Sequence, residues 1–240
     1  ALVGCALAVS GAIYQSAFNN KLVSPDLLGV SSGASVGACF AILLGLSGVF
    51  ISLFSFVMGF IAVILTVLIA KIFKNKSNVV LLLSGIAVGG LMSSGVGLMK
   101  YLADDEMKLA EMTYWLLGDL SGTTMKEVWI MLPIVVASCV VTVLSSWRVN
   151  IVSLGAKESK ALGINYKANM GILIGIATLL TAGAVSVSGT IGWIGLVIPN
   201  VVRLIVGSDN NKVLPLSMLS GAAFTIIVDM LARTLAPNEI

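Results

Sequence analysis

The chain has 240 residues, of which 58% are hydrophobic and only 10% are charged. Soluble domains carry about 25% charged residues, so a soluble fold would leave too much apolar surface in water. The net charge of +3 gives no reason to expect nucleic-acid binding, and the sequence has no histidine for metal ligation or acid–base catalysis. The composition indicates a protein whose solvent is the lipid bilayer.

A membrane-spanning helix needs about 20 mainly apolar residues, and irregular backbone cannot face lipid. We therefore predict an all-α, polytopic transmembrane bundle of about eight spans. In chain order the candidate stretches are 1–18, 28–47, 49–70, 79–99, 128–147, 169–188, 192–206 and 213–235. The seventh stretch fits the pattern least well, because it is short and contains Pro199 and Arg203.

Small residues crowd two of these stretches. The second follows Ser24, Pro25 and Asp26, which suit the N-cap, the first position and the first turn of a helix beginning there, and it continues with Gly, Ser and Ala. In the fourth, Gly85, Gly89, Ser93 and Gly97 recur every four residues along one face. Such faces allow close helix packing or line a wide, weakly polar route, and the sequence leaves both interpretations open.

Two long segments connect the spans. In residues 100–127, Leu109, Met112, Leu116 and Leu120 are spaced for one face of an outer helix, which would serve as an interfacial anchor or as a docking or gate surface. In residues 148–168, the stretch 154–163 reads as a short helix bounded by glycines. That helix would rest on lipid headgroups through its lysines or act as a lever held by a cytoplasmic partner.

Lysine and arginine are distributed unevenly between alternate loops, which sets the orientation. The outer loops contain Lys100, Lys108, Lys126 and Arg233, together with most of the acidic residues. The more basic side, which we assign to the cytoplasm, contains Lys21, Lys71, Lys74, Lys76, Arg148, Lys157, Lys160, Lys167 and Lys212.

Charges within the spans are few. Asp229 and Arg233 lie four residues apart and can pair. A charge within a span invites a functional interpretation, but we favour accommodation of these charges, Arg203 included, by a local ion pair and by snorkelling to the interface. The spans hold no series of carboxylates, which argues against a proton- or sodium-coupled carrier. Residues 9–13 and residues 187–191 are similar in sequence. This similarity reflects either an inverted repeat or a chance match.

The sequence contains no motif typical of catalysis, metal binding or nucleotide binding. Cys5, Cys39 and Cys139 lie in separate apolar runs without a CxxC pair, and no GxxxxGK[ST] loop for nucleotide phosphates occurs. We expect no catalytic residue, no metal and no cofactor in this chain. Any energy for uphill movement must come from another chain.

Several stretches together resemble the membrane permeases of binding-protein-dependent ABC importers for iron-siderophores, haem and vitamin B12, of the FecCD type. The resemblance runs through nearly the whole chain in family order. The matching stretches are SGAIYQ at 10–15, LLGVSSGA at 27–34, LLSGIA at 82–87, YWLLG at 114–118, Leu154-Gly155 with Ala161-Leu162-Gly163, and IGLVIP at 194–199 with Arg203. Family members often read Asn-Pro-Leu at 20–22 and have histidine at Asn200, so no metal role is assigned to position 200.

The resemblance implies a type II importer permease in the cytoplasmic membrane. Such permeases have ten spans and work in pairs, so residues 1–240 would form one transmembrane domain that lacks the first and last spans. Cytoplasmic ATPase subunits, which use ATP and Mg²⁺, would hold the coupling segment 148–168. Its contact residues would be Leu154, Gly155, Ala156, Lys157, Glu158, Ser159, Ala161, Leu162 and Gly163.

On the outer side a solute-binding protein would dock, meeting Arg233, and would deliver the solute to a passage between two permeases. The candidate path residues are Gln15, Ser31, Ser32, Ser84, Gly85, Gly89 and Ser93. The resulting hypothesis is import of an iron-siderophore complex by alternating access. Alternatives are haem or cobalamin as the solute, a secondary transporter with inverted repeats, and a membrane scaffold or receptor without transport.

Overall fold

The computed structural model describes residues 1–73 and 77–235, and within these ranges all regular secondary structure is helical. Lys74 and Lys76, two of the lysines assigned to the cytoplasmic side, lie outside them. A 3₁₀ turn covers Pro25–Leu28. The helices are α1 Leu2–Ala17, α2 Val30–Leu43, α3 Gly48–Ile72, α4 Asn78–Tyr101, α5 Glu106–Leu117, α6 Met125–Leu144, α7 Ser146–Ser153, α8 Ala156–Ala161, α9 Tyr166–Ser188, α10 Ile194–Val206 and α11 Asn210–Leu235.

Eight of these helices coincide with the eight predicted apolar stretches. Five of them, α3, α4, α6, α9 and α11, are long and apolar enough to cross a membrane. The other three, α1, α2 and α10, are apolar but shorter, with 10–17 residues each. Pro199 lies inside α10 without ending it. The prediction of an all-helical bundle is confirmed.

The described chain divides into two compact units. The first contains Ala1–Ser24, Leu120–Leu180 and the residues from Gly192 onward. Here α1 packs against α10, α11, α6 and α7, and nearly all of its residues are buried. Glycine makes this closeness possible: a Cβ atom on Gly11 would lie 1.8 Å from the carbonyl oxygen of Gly195, and one on Gly4 would lie 2.2 Å from that of Gly221.

The second unit contains Pro25–Asp119 and Thr181–Ile191. Its centre is α2, which packs against α3, α4 and α5. A Cβ atom on Gly37 would lie 2.2 Å from the carbonyl oxygen of Phe54, and one on Gly33 would lie 2.5 Å from the Ala62 side chain. These two small residues of the second apolar stretch therefore serve close packing of α2 on α3.

The start of the second stretch differs from the prediction. A helix beginning at Ser24 or Pro25 is wrong, because the 3₁₀ turn is followed by Gly29 in the left-handed region (φ 80°), and α2 begins only at Val30. A Cβ atom on Gly85 of α4 would lie 2.2 Å from the carbonyl oxygen of Leu27. Glycine tolerates positive φ, so Gly29 lets the chain turn while the 3₁₀ segment stays pressed on α4.

The echo between residues 9–13 and 187–191 has no counterpart in local conformation. Residues 9–13 lie in the interior of α1, whereas Ser188 ends α9 and residues 189–191 are not helical. Gly189 has a φ of 65°, which an α-helical residue does not adopt. Local structure therefore gives no support to an inverted repeat based on this match.

The two cysteines of the first unit provide a test of helix packing. The Sγ atoms of Cys5 on α1 and Cys139 on α6 lie 3.8 Å apart, whereas Cys39 is buried in α2. Sulfurs in a disulfide lie about 2.0 Å apart, so the two thiols are close neighbours that must approach further to be joined. We expect copper phenanthroline oxidation to give a Cys5–Cys139 cross-linked peptide, detected by mass spectrometry and abolished by Cys5→Ser. Failure to form this cross-linked peptide would contradict the packing of α1 on α6.

Candidate functional site

The short helix predicted within residues 154–163 is present as α8, Ala156–Ala161. Gly155 (φ 107°) precedes it and Gly163 (φ 75°) follows it, as the bounding glycines predicted. The hydroxyl of the buried Ser159 donates to the carbonyl oxygens of Ile151 at 3.0 Å and Gly155 at 2.7 Å. This side chain fastens α8 to α7, which lies just before it in the chain.

The rest of α8 is open to solvent. Leu154 and Leu162, which flank the helix, are each 58% exposed, although leucine is a residue that burial favours. The other predicted contact residues Ala156, Lys157, Glu158 and Ala161 are exposed as well, whereas Ser159 is fully buried. One side of this segment is therefore anchored to the protein through Ser159. The opposite side is exposed and carries two leucines and charges of both signs.

Helix α7, Ser146–Ser153, is an element that the sequence interpretation did not identify. It packs against α1 and α11, and Val149 and Val152 are buried. The fifth apolar stretch, predicted as 128–147, stops at Leu144, and the chain continues at once into α7. The only local signal is the Ser145-Ser146 pair, since serine is a helix-boundary residue.

A group of polar side chains joins α7 to the start of α11. The Oδ1 atom of Asn150 accepts hydrogen bonds from the backbone N–H and the side-chain amide of Asn210, both at 2.8 Å. Its Nδ2 donates to Asp209 Oδ1 at 2.7 Å. Asp209 also accepts from the backbone N–H of Asn211 at 3.0 Å. These donors hold the pKa of Asp209 below its usual value, so the exposed carboxylate stays ionised at neutral pH.

Arg203 differs from the prediction of an ion pair and snorkelling. Its side chain is only 9% exposed, and its guanidinium donates to Gln15 Oε1, to Ser16 Oγ at 3.2 Å and to the carbonyl oxygen of Ala12 at 3.3 Å. The one ion pair found in residues 1–73 and 77–235 involves other groups. Arg203 is therefore turned inward from α10 onto α1 and is held by neutral oxygens.

That ion pair is the predicted one between Arg233 and Asp229, with Nε and Oδ2 3.0 Å apart and both side chains partly exposed. Surface pairs at this spacing contribute only about 0.3–0.5 kcal/mol. The pair leaves Arg233 accessible on α11. Its role in docking a binding protein stays a prediction.

The candidate path residues fall into different surroundings. Gln15 is buried, and besides Arg203 it contacts the carbonyl oxygen of Leu196 at 3.2 Å. Ser84 and Gly85 are buried, Ser31, Ser32 and Gly89 are half-buried, and Ser93 is exposed. Their role in a path stays a prediction.

Asp26, in the 3₁₀ turn before α2, accepts a hydrogen bond from Ser31. Although the Asp26 side chain keeps access to solvent, the desolvation of its carboxylate raises its pKa above the usual value, and the Ser31 hydroxyl partly offsets this rise. The Ser31 side chain is therefore engaged at the beginning of α2.

Residues 100–127, predicted to form an outer segment, contain the predicted helix as α5, but one of the four residues predicted for its apolar face lies outside it. Met112 is fully buried against α2, and Lys108 donates to the carbonyl oxygen of Leu43 at 2.9 Å. Leu120 lies beyond the helix, which ends before Gly118, so its inclusion in the helical face was wrong. After that glycine, the N–H of Asp119 donates to the carbonyl oxygen of Ser188 at 2.9 Å, which fastens the end of α5 to the end of α9.

Comparison with known proteins identifies this arrangement. The family model of the FecCD transport family matches residues 1–240. The chain belongs to the FecCD transport family. This FecCD protein is a multi-pass membrane permease of the ABC importer class, in agreement with its apolar helices and with the resemblance noted in its motifs.

Relatives of this FecCD protein carry different names. The molybdate import system permease protein MolB of Haemophilus influenzae is 38% identical over 99% of this chain and 71% of the relative. The hemin transport system permease protein HmuU of Yersinia pestis is 36% identical over 100% of this chain and 73% of the relative. A solved inward-facing ABC transporter assigned to the metal-chelate type matches 100% of this chain and 76% of its own, with a TM-score of 0.94 and 35% identity.

Proposed function

We propose that this chain is the membrane subunit of an importer for an iron-siderophore complex in the cytoplasmic membrane. Two ATPase subunits hold the exposed side of α8, and a solute-binding protein delivers the complex from the outside. ATP binding and hydrolysis in those subunits move α8, and the passage opens in turn to each side. The permease performs no chemistry on the solute and binds no cofactor of its own.

The observation that carries the choice of a bulky solute is the small-residue surface of α4. Ser93 and Ser94 are exposed, and a Cβ atom on Gly90 or Gly97 would meet no atom within 4 Å. A lipid-facing helix usually carries large apolar side chains, whereas glycine weakens a helix by about 1 kcal/mol relative to alanine. The only charged residue of α4 is Lys100, next to its end. An uncharged, open surface suits a large chelate that must pass without being held tightly.

Three alternatives to this proposal are another solute, a secondary transporter and a membrane scaffold. Haem, cobalamin and, from the name of one relative, molybdate are alternative solutes for the same mechanism. A secondary transporter is disfavoured because the described spans contain no carboxylate series, Asp229 being paired with Arg233. A membrane scaffold that transports nothing would not need an open surface of small residues on α4.

The test uses the protein as encoded by its gene, reconstituted into liposomes with its ATPase and binding protein. We expect ATP-dependent uptake of a ferric hydroxamate or catecholate siderophore and not of haem, cobalamin or molybdate. ATP-dependent uptake of haem, cobalamin or molybdate instead would change the proposed solute and leave the proposed mechanism in place. Uptake driven by a proton or sodium gradient without ATP would overturn the proposal.

A pair of tryptophan variants tests the α4 surface in the same assay. Ser93 and Leu91, 65% exposed, point about 200° apart around the helix, at 100° per residue. We expect Ser93→Trp to obstruct the path and to reduce siderophore uptake by about tenfold or more, equivalent to about 1.4 kcal/mol. Leu91→Trp serves as the matched control and should leave uptake unchanged. Equal uptake by both variants would show that this surface does not line the path.

A further inference from the structure

Among the side chains of α7, all of which the structure describes, only that of Asn150 forms hydrogen bonds with both Asp209 and Asn210. Its amide is used on both sides: the oxygen accepts two hydrogen bonds at 2.8 Å and the nitrogen donates one at 2.7 Å. The reverse orientation of the amide would place its NH₂ group against the backbone N–H of Asn210. The contacts therefore fix how α7 meets the start of α11.

These contacts cap α11 from another helix. The first N–H groups of a helix have no partner within the helix itself, and a side chain just before the helix usually accepts from them. Asp209 fills this usual role for the N–H of Asn211, but the N–H of Asn210 is satisfied by Asn150 of α7. The start of α11 cannot leave α7 without losing a partner for that N–H.

A second bond on the same face of α7 strengthens the connection. Ser146 lies four residues before Asn150, so the two side chains share a helix face. Its hydroxyl donates to Asn211 Oδ1 at 2.6 Å. Helix α7 therefore holds the first two residues of α11 through two separate side chains.

Further hydrogen bonds connect α7 and the start of α11 to the neighbouring helices. Toward the cytoplasmic segment, Ser159 ties α8 to the carbonyl oxygen of Ile151 in α7. Toward the spans, Asn210 Oδ1 accepts from Ser16 at the end of α1 at 2.7 Å, and Ser16 Oγ accepts from Arg203 of α10. Hydrogen bonds thus join α8 to α7, α7 to the start of α11, α11 to α1, and α1 to α10.

We infer that Asn150 is a positioning residue for transport, which passes a displacement of α8 on to the start of α11. The inference rests on the proposed function, in which an ATPase moves α8. With Asn150 intact, α7 and α11 move together because their contact has one geometry. Without it, α8 and α7 can be displaced while α11 stays behind, and ATP is hydrolysed without movement of solute.

The test is the number of ATP molecules hydrolysed per solute imported, measured in liposomes with the ATPase and binding protein present. Asn150→Leu keeps the size of the side chain and removes its hydrogen bonds. We expect this variant to raise the ratio by about fivefold or more, the lower end of ordinary coupling between sites, while hydrolysis continues. Ser153→Ala is the matched control, since Ser153 donates only to the carbonyl oxygen of Asn150 within α7 at 2.7 Å, and its ratio should match that of the parent.

A ratio for Asn150→Leu equal to that of Ser153→Ala would overturn the inference, while ATP-driven uptake by the parent protein would still uphold the proposed function. Uptake by the parent without ATP would instead contradict the proposed function itself. If Asn150→Leu does not fold, Asn150→Ala decides, because it removes the same hydrogen bonds to Asp209 and Asn210 without placing a branched apolar side chain among these polar groups. A raised ratio for that variant supports the inference, and an unchanged ratio overturns it.

Discussion

Replacing Gly11 with leucine should unfold the first unit far more readily than the same change at Gly171, in the same unit. A Cβ atom at this position would lie 1.8 Å from the carbonyl oxygen of Gly195 and 2.7 Å from its Cα atom. These are backbone atoms, which cannot rotate aside as a side chain can, so α10 would have to separate from α1. We expect a loss in the free energy of unfolding of about 3 kcal/mol, the upper end of the usual range for overpacking.

The measurement is unfolding of the purified protein in mixed detergent and SDS micelles. Gly171→Leu on α9 is the matched control, because Gly171 is an exposed glycine of the same unit, and a Cβ atom added to it would meet no atom within 4 Å. This control should unfold close to the parent protein. Equal unfolding of the two variants would mean that α1 and α10 are not in close contact.

The helices themselves were predictable because long apolar runs leave few alternatives in a bilayer. All eight predicted stretches contain a helix, and the glycines around residues 154–163 marked α8 correctly. Helix starts were less predictable. Ser24, Pro25 and Asp26 suit a 3₁₀ turn as well as the first turn of an α-helix, and the choice between them depends on contact with Gly85, which lies about sixty residues later in the chain.

The polar contacts of the candidate site were not predictable from local patterns. Asn150 has no motif around it, and its partners lie 59 and 60 residues away. Arg203 was recognised as unusual because it is a charge in an apolar stretch, but its partner Gln15 lies 188 residues away. Hydrophobic periodicity and composition predict which face of a helix is buried. A hydrogen bond between helices that are far apart in the sequence depends on how those helices pack in the folded chain.

The contact between Arg203 and Gln15 leads to a prediction of non-additive stability. Gln15→Leu removes the Oε1 acceptor and leaves a buried guanidinium, 9% exposed, with fewer partners. Hydrogen bonds to charged groups contribute about 1.5–3 kcal/mol, so we expect a loss of that size in the free energy of unfolding. Arg203→Met removes the charge but leaves the oxygens of Gln15, Ser16 and Ala12 with one donor fewer, so it should be destabilising too.

The double variant with Gln15→Leu and Arg203→Met should be more stable than the sum of the two losses predicts. Replacing both partners of a buried polar contact with apolar groups of similar size is often nearly neutral, whereas removing one partner is not. We expect an interaction energy within the range of about 0.5–3 kcal/mol that residues in contact show. The four proteins of this double-mutant cycle are compared by unfolding in detergent and SDS micelles.

A matched cycle with Ser93→Ala in place of Gln15→Leu provides the control, because Ser93 is exposed on α4 and has no bond to Arg203. Its two losses should add. If the losses at Gln15 and Arg203 also add, the guanidinium does not depend on the glutamine, and Arg203 is held by Ser16 and Ala12 alone. Non-additivity would instead show that α10 is fixed on α1 by a charge held among neutral oxygens, so that its burial depends on every one of its acceptors.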